Sequence, residues 1–94
     1  MSRPIRILAV CGMGLGSGLI LRMQAEKALR RLGREAELEV ADIGTARALA
    51  ANADLIVTSE ELAKQLTGLK ARIVVIQNFI DVDEMVEKLG AAMG

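Results

Sequence analysis

There is no histidine in this 94-residue chain. That absence excludes Ser-His-Asp and Cys-His catalysis within the chain, and every histidine-ligated metal site. Tryptophan and tyrosine are also missing, and Phe79 is the only aromatic residue, so no base-stacking platform can be built. Cys11 is the single cysteine, which excludes an internal disulfide and a cysteine-bound zinc. Neither a metal nor any other cofactor is expected. Charge of neither sign prevails: twelve Lys and Arg balance twelve Asp and Glu. A balanced chain has no overall basic field to gather nucleic acid or anionic lipid, so no nucleic-acid partner is expected. No apolar run reaches the roughly 18 residues a membrane span needs. Arg3 and Arg6 precede an apolar stretch, Ile7 to Val10, that is too short for a secretory core and is followed by glycines. The expectation is a cytoplasmic protein that does not insert into a membrane, with Cys11 a free thiol.

What is present is a globular composition, 52% hydrophobic and 26% charged. The length suits one domain over residues 1–94. Four short apolar runs recur. Ile5 to Val10 is rich in β-branched residues and ends at Cys11. Glu35 to Ala41 alternates, with Ala36, Leu38 and Val40 on one face and Glu35, Glu37 and Glu39 on the other. A period of two reads as a strand with one solvated face, at a sheet edge. Asp54 to Thr58 and Arg72 to Gln77 carry continuous apolar centres, as a parallel sheet covered on both faces requires.

Helical patterns separate these runs. Ser17 is a natural N-cap for Gly18 to Leu32, whose Leu21, Ala25, Ala28, Leu29 and Leu32 share one face. Arg22, Glu26 and Arg30 recur at four-residue spacing on a solvated face, and Gly33 is placed to end the helix. Thr45 to Ala51, Ser59 to Leu66 and Asp81 to Ala92 read as further helices, the last capped by Asp81 with Glu84 at the capping-box position. Alternating strands and helices with short connections imply right-handed parallel crossovers. The predicted fold is α/β: a single three-layer α/β/α sandwich on a four-stranded parallel sheet of order 2-1-3-4.

The chemistry concentrates in Cys11-Gly12-Met13-Gly14-Leu15-Gly16-Ser17-Gly18, between the first strand and the first helix. In an open parallel sheet, ligands sit at the carboxyl ends of strands where the chain order reverses, and order 2-1-3-4 puts that point beside Cys11. Alternating glycines let backbone N–H groups turn inward without Cβ clashes. A ring of N–H groups at a helix N-terminus binds anions, and the same field favours a thiolate nucleophile. Cys11 is therefore the candidate catalytic residue, and Gly12, Met13, Gly14, Leu15, Gly16 and Ser17 are the candidate phosphate cradle. Asn78 and Asp81 are placed to border the same rim, although capping alone accounts for Asp81. Asp42 reads as a solvated loop aspartate, and Arg3, Arg6 and Arg72 as sheet-end residues without chemistry.

Rival loops fail on particular residues. A Walker A loop needs Gly-Lys-Ser/Thr, and no lysine lies between Cys11 and Ser17. The Gly-x-Gly-x-x-Gly pattern meets Ser17 when counted from Gly12 and Leu19 when counted from Gly14. A thioredoxin motif would need cysteine at Gly14. The serious alternative is a low-molecular-weight tyrosine phosphatase or arsenate reductase, whose Cys-x5-Arg loop supplies a guanidinium for the transition state. Here Ser17 stands at the arginine position, and no Asp-Pro segment offers a general acid. A site that holds phosphate without efficient hydrolysis suits a relay.

The stretch Ile7-Leu8-Ala9-Val10-Cys11-Gly12-Met13-Gly14-Leu15-Gly16-Ser17 resembles the active-site loop of IIB components of bacterial phosphoenolpyruvate-dependent sugar phosphotransferase systems, in the lactose/cellobiose superfamily. The resemblance covers essentially the whole chain. It is most similar to the ascorbate type, through Cys-Gly-x-Gly-x-Gly-Ser, Ala53-Asp54-Leu55-Ile56-Val57 and Val75-Ile76-Gln77-Asn78-Phe79; it departs at Gly18, where ascorbate-type loops often carry a second serine. The resemblance implies a phosphocarrier. A phosphohistidine on a IIA partner would donate to Cys11, and the phosphocysteine would pass the group to a carbohydrate, an ascorbate-like sugar favoured, bound by the membrane-embedded IIC partner. The chain would then work at the inner membrane as a peripheral protein, with Met13 and Leu15 as partner contacts.

Overall fold

The computed structural model describes residues 4–12 and 15–94, with backbone alone for residues 15–17. The elements are β1 (Ile5–Cys11), α1 (Leu15–Leu32), β2 (Ala36–Asp42), α2 (Ile43–Ala50), β3 (Leu55–Thr58), α3 (Glu60–Ala63), β4 (Arg72–Val75) and α4 (Val82–Met93). All the strands are parallel and ordered β2-β1-β3-β4, as the sequence predicts.

Alternation along β1 divides the core. Ile7 and Ala9 face a cluster with Leu21, Ala25, Ala28 and Leu29 of α1 and Met85 and Leu89 of α4. Leu8 and Val10 face the other cluster, with Ala46 and Ala50 of α2 and Leu66. Helices thus cover both faces, which is why β1 and β3 are apolar at successive positions. Leu89 is fully buried, and truncating it to alanine removes packing worth about 2–5 kcal/mol. The edge position of β2 explains its alternation: Glu37, Glu39 and Asp42 are exposed while the residues between them are half-buried or buried.

Several boundaries differ from the sequence expectation. α1 begins at Leu15, so Ser17 lies in the first turn and not at the cap. Two glycines there lower helix propensity, and the packed apolar face further along carries the helix back over them. α2 begins at Ile43 because Asp42 caps it, its carboxylate accepting from Thr45 N at 2.9 Å. α3 ends at Ala63: Gln65 N and Leu66 N bond three residues back, tightening the chain so that Leu66 is fully buried. β4 stops at Val75, two residues earlier than the apolar run suggests.

The expected stops hold where local chemistry is strongest. Gly33 takes φ 65° after α1, and Arg34 N bonds Leu29 O at 3.0 Å, closing the helix. Asp81 caps α4, accepting from Glu84 N. Glu84 does not return the bond to Asp81 N, which instead donates to Asn78 O at 3.0 Å. Among the described residues no helix is long and apolar enough to cross a membrane.

Candidate active site

Cys11 is the last residue of β1, in register with Asp42 of β2, at the point where the strand order reverses. Cys11 is 6% exposed, and its S–H donates weakly to Ala41 O at 4.0 Å. The sulfur lies on the α1 face of the sheet. A Cβ on Gly18 would sit 2.8 Å from Cys11 Sγ and 3.2 Å from Val40 Cγ1. Only glycine lets α1 approach this closely, so Gly18 is a site-building residue that the sequence argument left at the helix start. Its signal was available: the alternation of glycines runs from Gly12 through Gly18, one residue past the candidate cradle.

The expected cradle is placed in part. Gly12 is half-buried, and a Cβ there would meet no described atom within 4 Å, so packing does not demand its missing side chain. Met13 and Gly14 lie outside the described residues. Leu15, Gly16 and Ser17 form the first turn of α1, where backbone N–H groups have no intrahelical acceptor. That turn contains no acidic side chain.

The residues considered for the rim serve the scaffold. Asn78 accepts from Ile80 N at 3.1 Å, turning its own loop, and Asp81 is spent on the α4 cap. Glu84 holds the end of β4, its carboxylate accepting from Gln77 N at 2.7 Å, Asn78 N at 2.9 Å and Lys88 Nζ at 2.6 Å. Burial pushes its carboxyl up, but the Gln77 N–H, the Lys88 ammonium and the Asn78 N–H together bring it below the ordinary glutamate value. Asp42, beside Cys11 in the ladder, turns its carboxylate to the start of α2 and also accepts from Thr45 Oγ1 at 3.2 Å. Arg6 pairs with Glu37 and Arg72 reaches Ala92 O, both away from the sulfur. Arg3 lies outside the described residues. A groove between β2 and α2, lined by Arg6, Leu8, Glu39 and Asn52, does not include Cys11.

Cys11 thus ends a central strand beside the first turn of α1, and comparison with known proteins gives the family of the chain. Residues 6–90 match the family profile described as the lactose/cellobiose-specific IIB subunit of the phosphotransferase system. The chain belongs to that family. This IIB-family chain is a component of sugar phosphotransfer and sugar transport. It is 28% identical over 93 residues to an ascorbate-specific EIIB component from Mycoplasma pneumoniae, covering 98% of each chain. It is 30% identical over 86 residues to the ascorbate-specific EIIB component of Shigella sonnei, covering 90% of this chain and 85% of that one. The solved lactose-specific IIB domain from Streptococcus pneumoniae superposes with a TM-score of 0.67 over 97% of this chain and 92% of the other, at 13% identity, and so shares the fold.

Proposed function

We propose that this IIB-family chain carries a phosphoryl group on Cys11. The observation that carries this reading is the position of Cys11 Sγ: at the end of a central strand, against Gly18 and beside the first turn of α1. In the first step, sulfur forms an S–P bond as the P–N bond to a phosphohistidine on a IIA partner breaks, the electron pair returning to nitrogen. In the second, a sugar hydroxyl held by a IIC partner displaces sulfur, and its proton leaves to a base outside this histidine-free chain. Gly12 to Ser17 supply N–H donors to the phosphoryl oxygens, since such transfer depends mainly on positioning and charge stabilisation. The ascorbate-specific relatives favour an ascorbate-like sugar.

Partners must cover the sulfur during transfer. Leu19 and Met23, 61% and 55% exposed, stand on α1 just beyond Gly18, and Ile80, 72% exposed, stands in the loop after β4. These side chains join Met13 and Leu15 as the proposed docking surface, which two partners use in turn at the membrane face.

Intact-mass measurement after incubation with a phosphorylated IIA partner tests the reading. A phosphoryl adduct that is lost in Cys11→Ser supports it. An adduct that persists in Cys11→Ser sinks it, and rapid release of free phosphate by the wild-type chain would return the loop to phosphatase chemistry.

A further inference from the structure

Thr58 is a hydroxyl in a place built for a methyl group. It ends β3, follows Leu55, Ile56 and Val57, and is 0% exposed. Valine would fill the same volume without the cost of burying an oxygen. Its hydroxyl has a specific partner: Thr58 Oγ1 donates to Val10 O at 2.8 Å, across 48 residues of sequence.

The position of that bond matters. The β1–β3 ladder pairs Ile7 with Leu55, Leu8 with Ile56 and Ala9 with Val57, and stops there. On its other side β1 stays paired with β2 through Val10 with Ala41 and Cys11 with Asp42. The Val10–Cys11 peptide is thus laddered on the β2 side, while the Thr58 hydroxyl holds it on the β3 side. Thr58 is itself anchored, since Ile76 N donates to Thr58 O at 2.9 Å. Peptide planarity ties Val10 O to the N and Cα of Cys11, so fixing the carbonyl fixes the Cys11 Cα, while pairing with Asp42 of β2 sets the backbone conformation from which its Cα–Cβ bond leaves. Alternation puts Ile56, two residues before Thr58, in the core cluster opposite α1, whereas Cys11 Sγ lies against Gly18 of α1. The threonine therefore acts through the backbone and not on the sulfur itself.

We infer that Thr58 is a positioning residue for the Cys11 thiol, its hydroxyl aligning the Val10–Cys11 peptide for phosphoryl transfer. This rests on the proposed role of Cys11. The test compares wild type, Thr58→Val and Thr58→Ser in phosphoryl uptake from the IIA partner, and in alkylation of Cys11 by iodoacetamide. Thr58→Val is expected to lower the saturating transfer rate about tenfold, with the KM for the partner unchanged, because small misplacements of a reacting atom carry large rate costs. It is also expected to change the alkylation rate, and Thr58→Ser is expected to restore both rates to near wild type. Unchanged rates in folded Thr58→Val, or failure of the serine variant to restore them, would overturn the inference. If Cys11→Ser still takes up phosphoryl, the carrier reading fails separately, and the alkylation rates still decide whether Thr58 orients the thiol.

Discussion

The carboxyl ends of β1 and β4 pose the same physical problem and answer it differently. Each leads into a helix whose first N–H groups have no intrahelical acceptor. After β4 the chain supplies its own anions. Glu84 takes the N–H groups of Gln77 and Asn78, and Asp81 caps α4, whose first turn adds Asp83. The starts of α2 and α3 are likewise met by Asp42 and Ser59. After β1 the first turn of α1 carries no acidic side chain, and the sulfur of Cys11 stands beside it. The difference separates the helix starts that side chains of this chain already neutralise, which are scaffold, from the start of α1, which in the proposed function receives the phosphoryl group.

Giving α1 an internal anion is the most direct way to break that contrast. Ser17→Asp is expected to slow phosphoryl uptake by roughly 100-fold, the order associated with losing one aimed donor, while the added charge stabilises the helix. Transfer assays beside thermal unfolding would show activity and stability moving in opposite directions. Parallel movement would mean that the two helix starts are equivalent.

Gly18→Ala sharpens the other half of the contrast. The new Cβ would lie 2.8 Å from Cys11 Sγ, so the sulfur or the helix must shift. Helix propensity gains about 1 kcal/mol from alanine, whereas overpacking costs about 1–3 kcal/mol. Phosphoryl uptake is expected to fall about tenfold with a small net loss of stability, measured by denaturant unfolding.

Glu84→Ala should do the reverse at β4. It leaves two N–H groups and Lys88 without their carboxylate, at a cost of about 1–3 kcal/mol in unfolding free energy, with phosphoryl uptake within about twofold of wild type. The smallest expected effect is on pH dependence. Because the folded Glu84 carboxyl sits below its ordinary value of 4.5, its contribution is fully present above that pH and is lost as pH falls through the folded value. Acid titration of stability should be shallower in Glu84→Gln below pH 4.5 than in wild type.

The fold was legible because its signals are local and repeated. The glutamates of β2 marked an edge, the continuous apolar centres of β3 and β4 marked covered strands, and Gly33 and Asp81 marked helix ends. The misplacements share a cause. Ser17 and Asp42 are both short polar residues that suit a cap, and whether each one caps depends on where its own helix begins against the sheet. Glu84 has capping-box spacing, yet its carboxylate is drawn to the end of β4.

By itself, the sequence determined that one thiol ends the first strand, that glycines follow it, and that four strands alternate with helices, because periodicity and turn chemistry act over a few residues. Only the tertiary structure decided that Gly18 rests against that thiol, that Thr58 ties down the peptide before it, and that Glu84 fills the neighbouring loop. Those contacts join different elements, and close packing of helices on a sheet, not any local preference, sets which atoms meet.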